Sequence, residues 1–245
     1  MVHGQWLHLL PRDAYSQKLF SQKLFVFRRQ HIGLLLALAR ISLAREGSPG
    51  LAVDVGANIG YTAAWLAMRR DVRHVIAVEP NPTLVPLLER NLGARGTGIH
   101  AVATRESGRS EFPLNGIDSS WSGFGNPSGM EFRLEQVPAV ALGELVGEDD
   151  SVELLKIDVE GHECEVLGGA TQLLARCSPV IVIEVNKHQG RVLAGLRDIV
   201  SHSAHEYGAF VADCDGFFRP VSLDDEEVGA NDFILIPNWA EARVG

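Results

Sequence analysis

The sequence predicts an α/β domain on a mostly parallel, Rossmann-like sheet, with a late antiparallel hairpin and an N-terminal helical extension. Three observations carry that prediction. After Gly50, short runs rich in Val and Ile alternate with helix-patterned stretches, as parallel strands joined by right-handed crossovers do. The run Val53-Asp54-Val55-Gly56-Ala57-Asn58-Ile59-Gly60 leads from an apolar strand through a glycine turn into a helix. The following apolar run ends on an acid, Val78-Glu79-Pro80-Asn81-Pro82.

Residues 1–47 read as a helical extension or cap. Leu34, Leu35, Leu38, Ile41 and Leu43 recur near helical spacing, and Gly47-Ser48-Pro49-Gly50 stops the pattern. Within it, Ser16-Gln17-Lys18-Leu19-Phe20 is repeated at once over 21–25. A period of five does not keep one helical face, so this is a local duplication and not a solenoid unit.

Residues 48–245 make the domain proper. Strands are expected at 51–55, 74–78, 98–102, 152–157 and 180–185, apolar throughout because both faces of a parallel sheet are covered. Helices are expected at 61–70, 83–92, 163–174 and 190–201, and two late strands near 209–213 and 233–236 complete one edge as a hairpin. Residues 104–136 interrupt the alternation. Gly108, Gly116, Gly123, Gly125 and Gly129 are interleaved there with Phe112, Trp121, Phe124 and Phe132, which points to an insertion acting as a binding loop or lid. A plain excursion with a small hairpin is the alternative.

Composition narrows the partners. The chain has 245 residues, 46% of them hydrophobic, enough for one sizeable core. A net charge of −9 argues against a large nucleic-acid surface, although Arg28, Arg29, Arg40 and Arg45 leave room for a local basic patch. Cys164, Cys177 and Cys214 form neither a C-x-x-C pair nor a disulfide framework, as in a reducing compartment. No apolar run reaches the ~18–20 residues of a membrane span. The expectation is a soluble, cytoplasmic protein with a small-molecule partner, no nucleic acid and no membrane span; a homo-oligomer is left open.

Glu79 follows Gly56 by 23 positions, close to the spacing of about 20 at which an acid reaches a bound ribose. Small residues let a backbone approach a ligand, and a helix start offers N–H groups. The loop nevertheless departs from the G-x-G-x-x-G of dinucleotide sites, because Asp54 stands where the first glycine would be. A buried carboxylate repels a diphosphate and suits a cofactor carrying an ammonium and a sulfonium, as S-adenosylmethionine does. A nicotinamide-dependent oxidoreductase and a non-catalytic cofactor-binding module are the alternatives.

Two further clusters carry chemistry. In Lys156-Ile157-Asp158-Val159-Glu160-Gly161-His162-Glu163, Asp158 and Glu160 share a direction if the strand persists, and one of them would bind an ammonium while the other handles a substrate hydroxyl. Glu163 also reads as an acid favouring a helix N-terminus. In Ile183-Glu184-Val185-Asn186-Lys187-His188, Glu184 and Asn186 would join Asp158 at adjacent strand ends as oxygen ligands for Mg²⁺ or Ca²⁺; a hydrogen-bonded polar rim explains them equally well. Asp158, His162 and His188 are the candidate bases.

V-D-V-G-A-N-I-G, V-E-P-N-P, L-L-K-I-D-V-E-G-H-E and V-I-E-V-N, in this order, resemble the FkbM family of S-adenosylmethionine-dependent methyltransferases over about 51–237. The resemblance implies a class I methyltransferase fold and, most often, O-methylation of a sugar or natural-product hydroxyl. It implies that Asp54, Gly56, Ala57, Asn58 and Gly60, with Tyr61 and Thr62 at the helix start, line the methionine part. Glu79, with Pro80 and Asn81, would hold the ribose, and Ala101 and Val102 would border the adenine. Asp158, Glu160 and His162 would face the transferred methyl. Asn186 stands where many relatives carry histidine, and residues 103–109 are only loosely similar.

Overall fold

The computed structural model describes residues 8–9, 33–45, 47–114, 132–185, 189–213, 215–225 and 231–240. In chain order these form a helix over 33–39 (α1), β1 (Ala44–Arg45), β2 (Ser48–Val55), α2 (Tyr61–Met68), β3 (Val72–Glu79), α3 (Val85–Leu92) and β4 (Gly96–His100). Then come β5 (Val102–Ala103), β6 (Gly108–Leu114), β7 (Arg133–Val140), α4 (Leu142–Leu145), β8 (Val152–Ile157), α5 (Glu163–Cys177) and β9 (Val180–Glu184). The last elements are α6 (Gln189–Ser201), β10 (Tyr207–Ala212), β11 (Phe218–Pro220) and β12 (Asp232–Pro237).

The main sheet has the order β11-β10-β12-β9-β8-β2-β3-β4, with β1 paired to β2. Strands β4, β3, β2, β8 and β9 are parallel neighbours, whereas β12, β10 and β11 join antiparallel. Every residue of β8 is buried, as a strand covered on both faces requires. One core layer packs α1, α2 and α3 on the sheet through Leu38, Leu66 and Leu88; the other packs α4, α5 and α6 through Leu142, Val166 and Leu196.

Local chemistry fixes the element ends. Helix α5 carries Glu163 and Glu165 in its first turn and Arg176 in its last, matching the helix dipole, and stops at the left-handed Ser178. Helix α2 ends at Met68, earlier than expected, because Arg69 turns extended and donates to the Leu38 and Ile41 carbonyls and to Asp71. The strand expected over 98–102 is split: β4 ends at His100 and the chain changes sheets at Ala101.

The described arms of the insertion are regular, as in the alternative reading of a small hairpin. Strands β6 and β7 form an antiparallel hairpin that runs on to Val140, with β5 alongside β7. Phe112 packs with Val102, Val137 and Ala139 in the hairpin's own small core instead of standing out towards a ligand. Trp121 and Phe124 lie outside the described residues, as do the repeat over 16–25, Arg28, Arg29 and Cys214. Of the four arginines that left room for a basic patch, Arg40 and Arg45 lie over the rings of Phe217 and Trp239. Arg45 also donates to the Cys177 carbonyl.

Candidate active site

Strand order reverses between β2 and β8, and ligands of open α/β sheets bind at the carboxyl ends beside such a switch. Those ends bring together the 56–60 loop, Glu79, Asp158 and Glu184, and the antiparallel β12 adds Asp232 opposite Glu184.

The glycine loop is built for close packing. Gly56 has φ 77°, and a Cβ there would lie 1.8 Å from the Asp158 carbonyl oxygen. The N–H groups of residues 56–60 are all donated within the protein. Gly56 and Ala57 donate to the Val78 carbonyl at 3.0 and 3.1 Å, and Gly60 to the Ala57 carbonyl at 2.8 Å. Asn58 donates its N–H to Glu79 Oε2 at 2.8 Å, while Ile59 donates to Asn58 Oδ1 at 2.7 Å. A diphosphate finds no donor in this stretch. From α3, Asn91 donates to the Ile59 carbonyl at 2.7 Å and so ties the loop to its neighbouring helix.

Glu79 is only 5% exposed. Its Oε1 accepts the Asn81 N–H at 2.8 Å, so both oxygens hold backbone while further lone pairs remain. Burial, against those two hydrogen bonds and with help from Asp54 and Asp158, pushes its carboxyl up to about 7. Asn81 is buried and accepts the Thr83 N–H at 3.0 Å; the Pro80 carbonyl is 3.1 Å from His100 Nε2. Ala57, Thr62, Ala101 and Val102 are buried, and Tyr61 is half-buried at the start of α2.

Beneath the second cluster lies a buried ammonium. Lys156 Nζ is 3.3 Å from Asp54 Oδ1 and 3.2 Å from Asp158 Oδ2, with the Lys156 and Asp54 side chains 8% and 1% exposed. Burial opposes the charge on Lys156, yet Asp158, Asp54 and Glu184 outweigh it and raise its pKa above the ordinary lysine range. Burial pushes Asp54 upward against the pull of Lys156. A small crevice adjoins Lys156 and Asp158, lined also by Leu34, Ile157, Val182, Glu184 and Asp232.

Among the described residues no group of three or more metal-ligating side chains occurs, and the Lys156 ammonium lies between the Asp54 and Asp158 carboxylates. Asn186 and His188 lie outside the described residues. Asp158 and Glu160, expected to share a strand face, do not, because β8 ends at Ile157 and Glu160 turns left-handed with φ 50°. Gly161, at φ 99°, completes the turn, and its N–H donates to Glu163 Oε1 at 2.8 Å, so Glu163 serves the start of α5. His162 immediately precedes α5, half-buried, and burial holds its imidazole below the usual range and therefore neutral near pH 7.

Lys156, Asp232, Asn91 and Leu34 are site residues that the motifs did not single out. Lys156 carried a legible signal, since a lysine inside an otherwise apolar strand must find a counter-charge. Asp232 carried none, because its place depends on β12 inserting beside β9.

The parallel sheet, its antiparallel addition and the carboxylate-bearing strand ends define a class I methyltransferase fold. Residues 54–213 match the methyltransferase FkbM domain, and the chain belongs to that family. A methyltransferase FkbM from Methylobacillus flagellatus has the same fold, with a TM-score of 0.52 at 17% identity over 77% of this chain and 44% of that one. The hexuronic acid methyltransferase AglP of Haloferax volcanii is 34% identical over 134 residues, 53% of each chain. The AMB antimetabolite synthetase AmbE of Pseudomonas aeruginosa is 26% identical over 230 residues, which are 78% of this chain and 11% of that protein. The chain thus spans about half of one curated relative and about a tenth of the other. Among the described residues no helix is long and apolar enough to cross a membrane.

Proposed function

We propose that this protein is an S-adenosylmethionine-dependent methyltransferase acting on a hydroxyl of a sugar or natural-product small molecule. The observation that carries the cofactor is the loop at 56–60, which spends its N–H groups internally while ending beside the buried carboxylate of Glu79. That arrangement suits a nucleoside without a diphosphate. The likeness to AglP, named a hexuronic acid methyltransferase, supports a sugar acceptor.

S-adenosylmethionine, when bound, would supply an activated methyl for displacement by the acceptor oxygen, whose hydroxyl proton would pass to a protein base. Glu79 offers its remaining lone pairs to the ribose hydroxyls, a charge-assisted contact of about 1.5–3 kcal/mol. Asp158, fixed by Lys156 on the cleft wall, is the base that receives the proton. The protein otherwise contributes alignment, which can lower such a barrier by ~7–11 kcal/mol. Leu34 of α1 lines the cleft, which supports the helical extension over 1–47 as its cap.

Calorimetric titration with S-adenosylmethionine, S-adenosylhomocysteine and NAD tests this reading. Binding of the first two and not the third is expected. Binding of NAD alone, or of none, overturns the assignment of the 54–79 region.

A further inference from the structure

The glycine loop is tied to a residue outside the region matched to the family domain. Asn91, on α3 and 1% exposed, donates from Nδ2 to the Ile59 carbonyl at 2.7 Å and to the His8 carbonyl at 3.0 Å. Its Oδ1 accepts the His8 N–H at 2.7 Å. The amide therefore grips residue 8 by backbone on both sides, as a neighbouring strand would, and these bonds use nothing of the exposed His8 side chain. Removing residue 8 takes away two of the three bonds, and with them much of what sets the angle of the Asn91 amide.

That angle matters to the loop. The Ile59 carbonyl and the Gly60 N–H belong to one planar peptide, and this N–H closes the turn onto the Ala57 carbonyl at 2.8 Å. Inside the turn Asn58 is left-handed at φ 52°, a sparsely populated conformation that persists only when its surroundings hold it. The Asn58 N–H in turn donates to Glu79 Oε2 at 2.8 Å. Residue 8, Asn91, the 59–60 peptide and Glu79 are linked in series through a single turn of backbone.

Resting on the assignment of this loop to S-adenosylmethionine, we propose that Asn91 and the backbone of His8 are positioning groups of the cofactor site, through which the N-terminal segment raises affinity for the nucleoside cofactor. The N-terminal extension then serves the cofactor as well as the crevice that Leu34 lines.

Calorimetry with S-adenosylhomocysteine and amide hydrogen exchange test this on the full chain. His8→Pro removes the N–H and keeps the carbonyl. It should weaken S-adenosylhomocysteine roughly three- to tenfold and speed exchange over 56–60. His8→Ala keeps both backbone groups and should bind within about twofold of the wild type. Asn91→Ala should weaken binding at least as much as His8→Pro, and combining the two should cause no further loss. Linkage is reciprocal, so bound S-adenosylhomocysteine should slow exchange of the His8 amide in the wild type and not in Asn91→Ala. That measurement does not depend on His8→Pro being folded. Unchanged affinity in His8→Pro, a loss that persists in full in the Asn91→Ala background, or no effect of ligand at His8 overturns the proposal. If the wild type binds no S-adenosylhomocysteine, the methyltransferase reading itself fails and the proposal falls with it.

Discussion

The Cα of Gly56 sits against the backbone carbonyl of Asp158, so closely that a Cβ would lie 1.8 Å from the oxygen. The two loops that enclose the site therefore touch through backbone, and the separation of the carboxyl ends of β2 and β8 depends on the missing side chain.

Gly56→Ala should force those loops apart. The clash adds to the strain of a left-handed φ, and together they should destabilise the fold by about 3 kcal/mol or more. Urea unfolding checks the loss, and calorimetry should show cofactor affinity reduced even where the protein is still folded.

Lys156→Met should be more harmful than loss of a surface lysine. It leaves Asp54 and Asp158 without their counter-charge in a buried setting, a change that typically costs about 3–5 kcal/mol. Adding Asp54→Asn should recover much of that stability. A double-mutant cycle measured by denaturant unfolding reads the coupling, and strict additivity would contradict it.

Glu79 and Asp232 make stability fall as the pH rises. Their folded-state values are about 7 and about 6, above the ordinary 4.5 and 3.8, so the folded protein holds the extra protons. The stabilisation is complete below about pH 4 and is lost as the pH climbs through 6 and 7. The ligand-free protein should melt roughly 3–6 °C lower at pH 8 than at pH 5, with a shallower trend in Glu79→Gln.

Cofactor binding should run the opposite way. Ribose hydroxyls donate to the ionised form of Glu79, so affinity for S-adenosylmethionine should rise from pH 6 to pH 8, by up to about tenfold per unit below its pKa. In Glu79→Gln the pH dependence should disappear and the affinity should fall. A profile that stays the same in the variant would remove Glu79 from the ribose.

Asn91→Ala should free the Ile59 carbonyl and loosen the glycine loop, costing about 1–3 kcal/mol in thermal or denaturant unfolding.

Local chemistry explains why some of this was legible in the sequence. Strand β8 has the expected bounds because its apolar run ends abruptly at Asp158, and the turn at Gly161 and the acid at Glu163 write the start of α5 in consecutive letters. Glu79 was legible as an acid ending a buried strand. Its bonds to Asn58 and Asn81 were not, since they depend on how the loop closes over it. The pairing of Lys156 with Asp54 and the place of Asp232 beside Glu184 were not legible for a different reason. Asp54 and Glu184 come from strands distant in sequence, and only the register of β2, β8, β9 and β12 sets them there. A small hairpin was weighed for the insertion, but the bounds of its arms were not legible, because exposed strands need little apolar pattern.

Strand β12 is the last of the sheet in sequence, yet it lies inside, between β9 and β10. During synthesis β9 and β10 therefore emerge before the strand that joins them. Until β12 arrives, Ile181, Val182 and Ile183 present an apolar, unpaired strand edge of the kind that draws other chains into aggregates. A chain interrupted after residue 212 would keep the glycine loop and Glu79 but leave that edge open. Quality control could then recognise the truncated product by its uncovered sheet, before any question of activity arises.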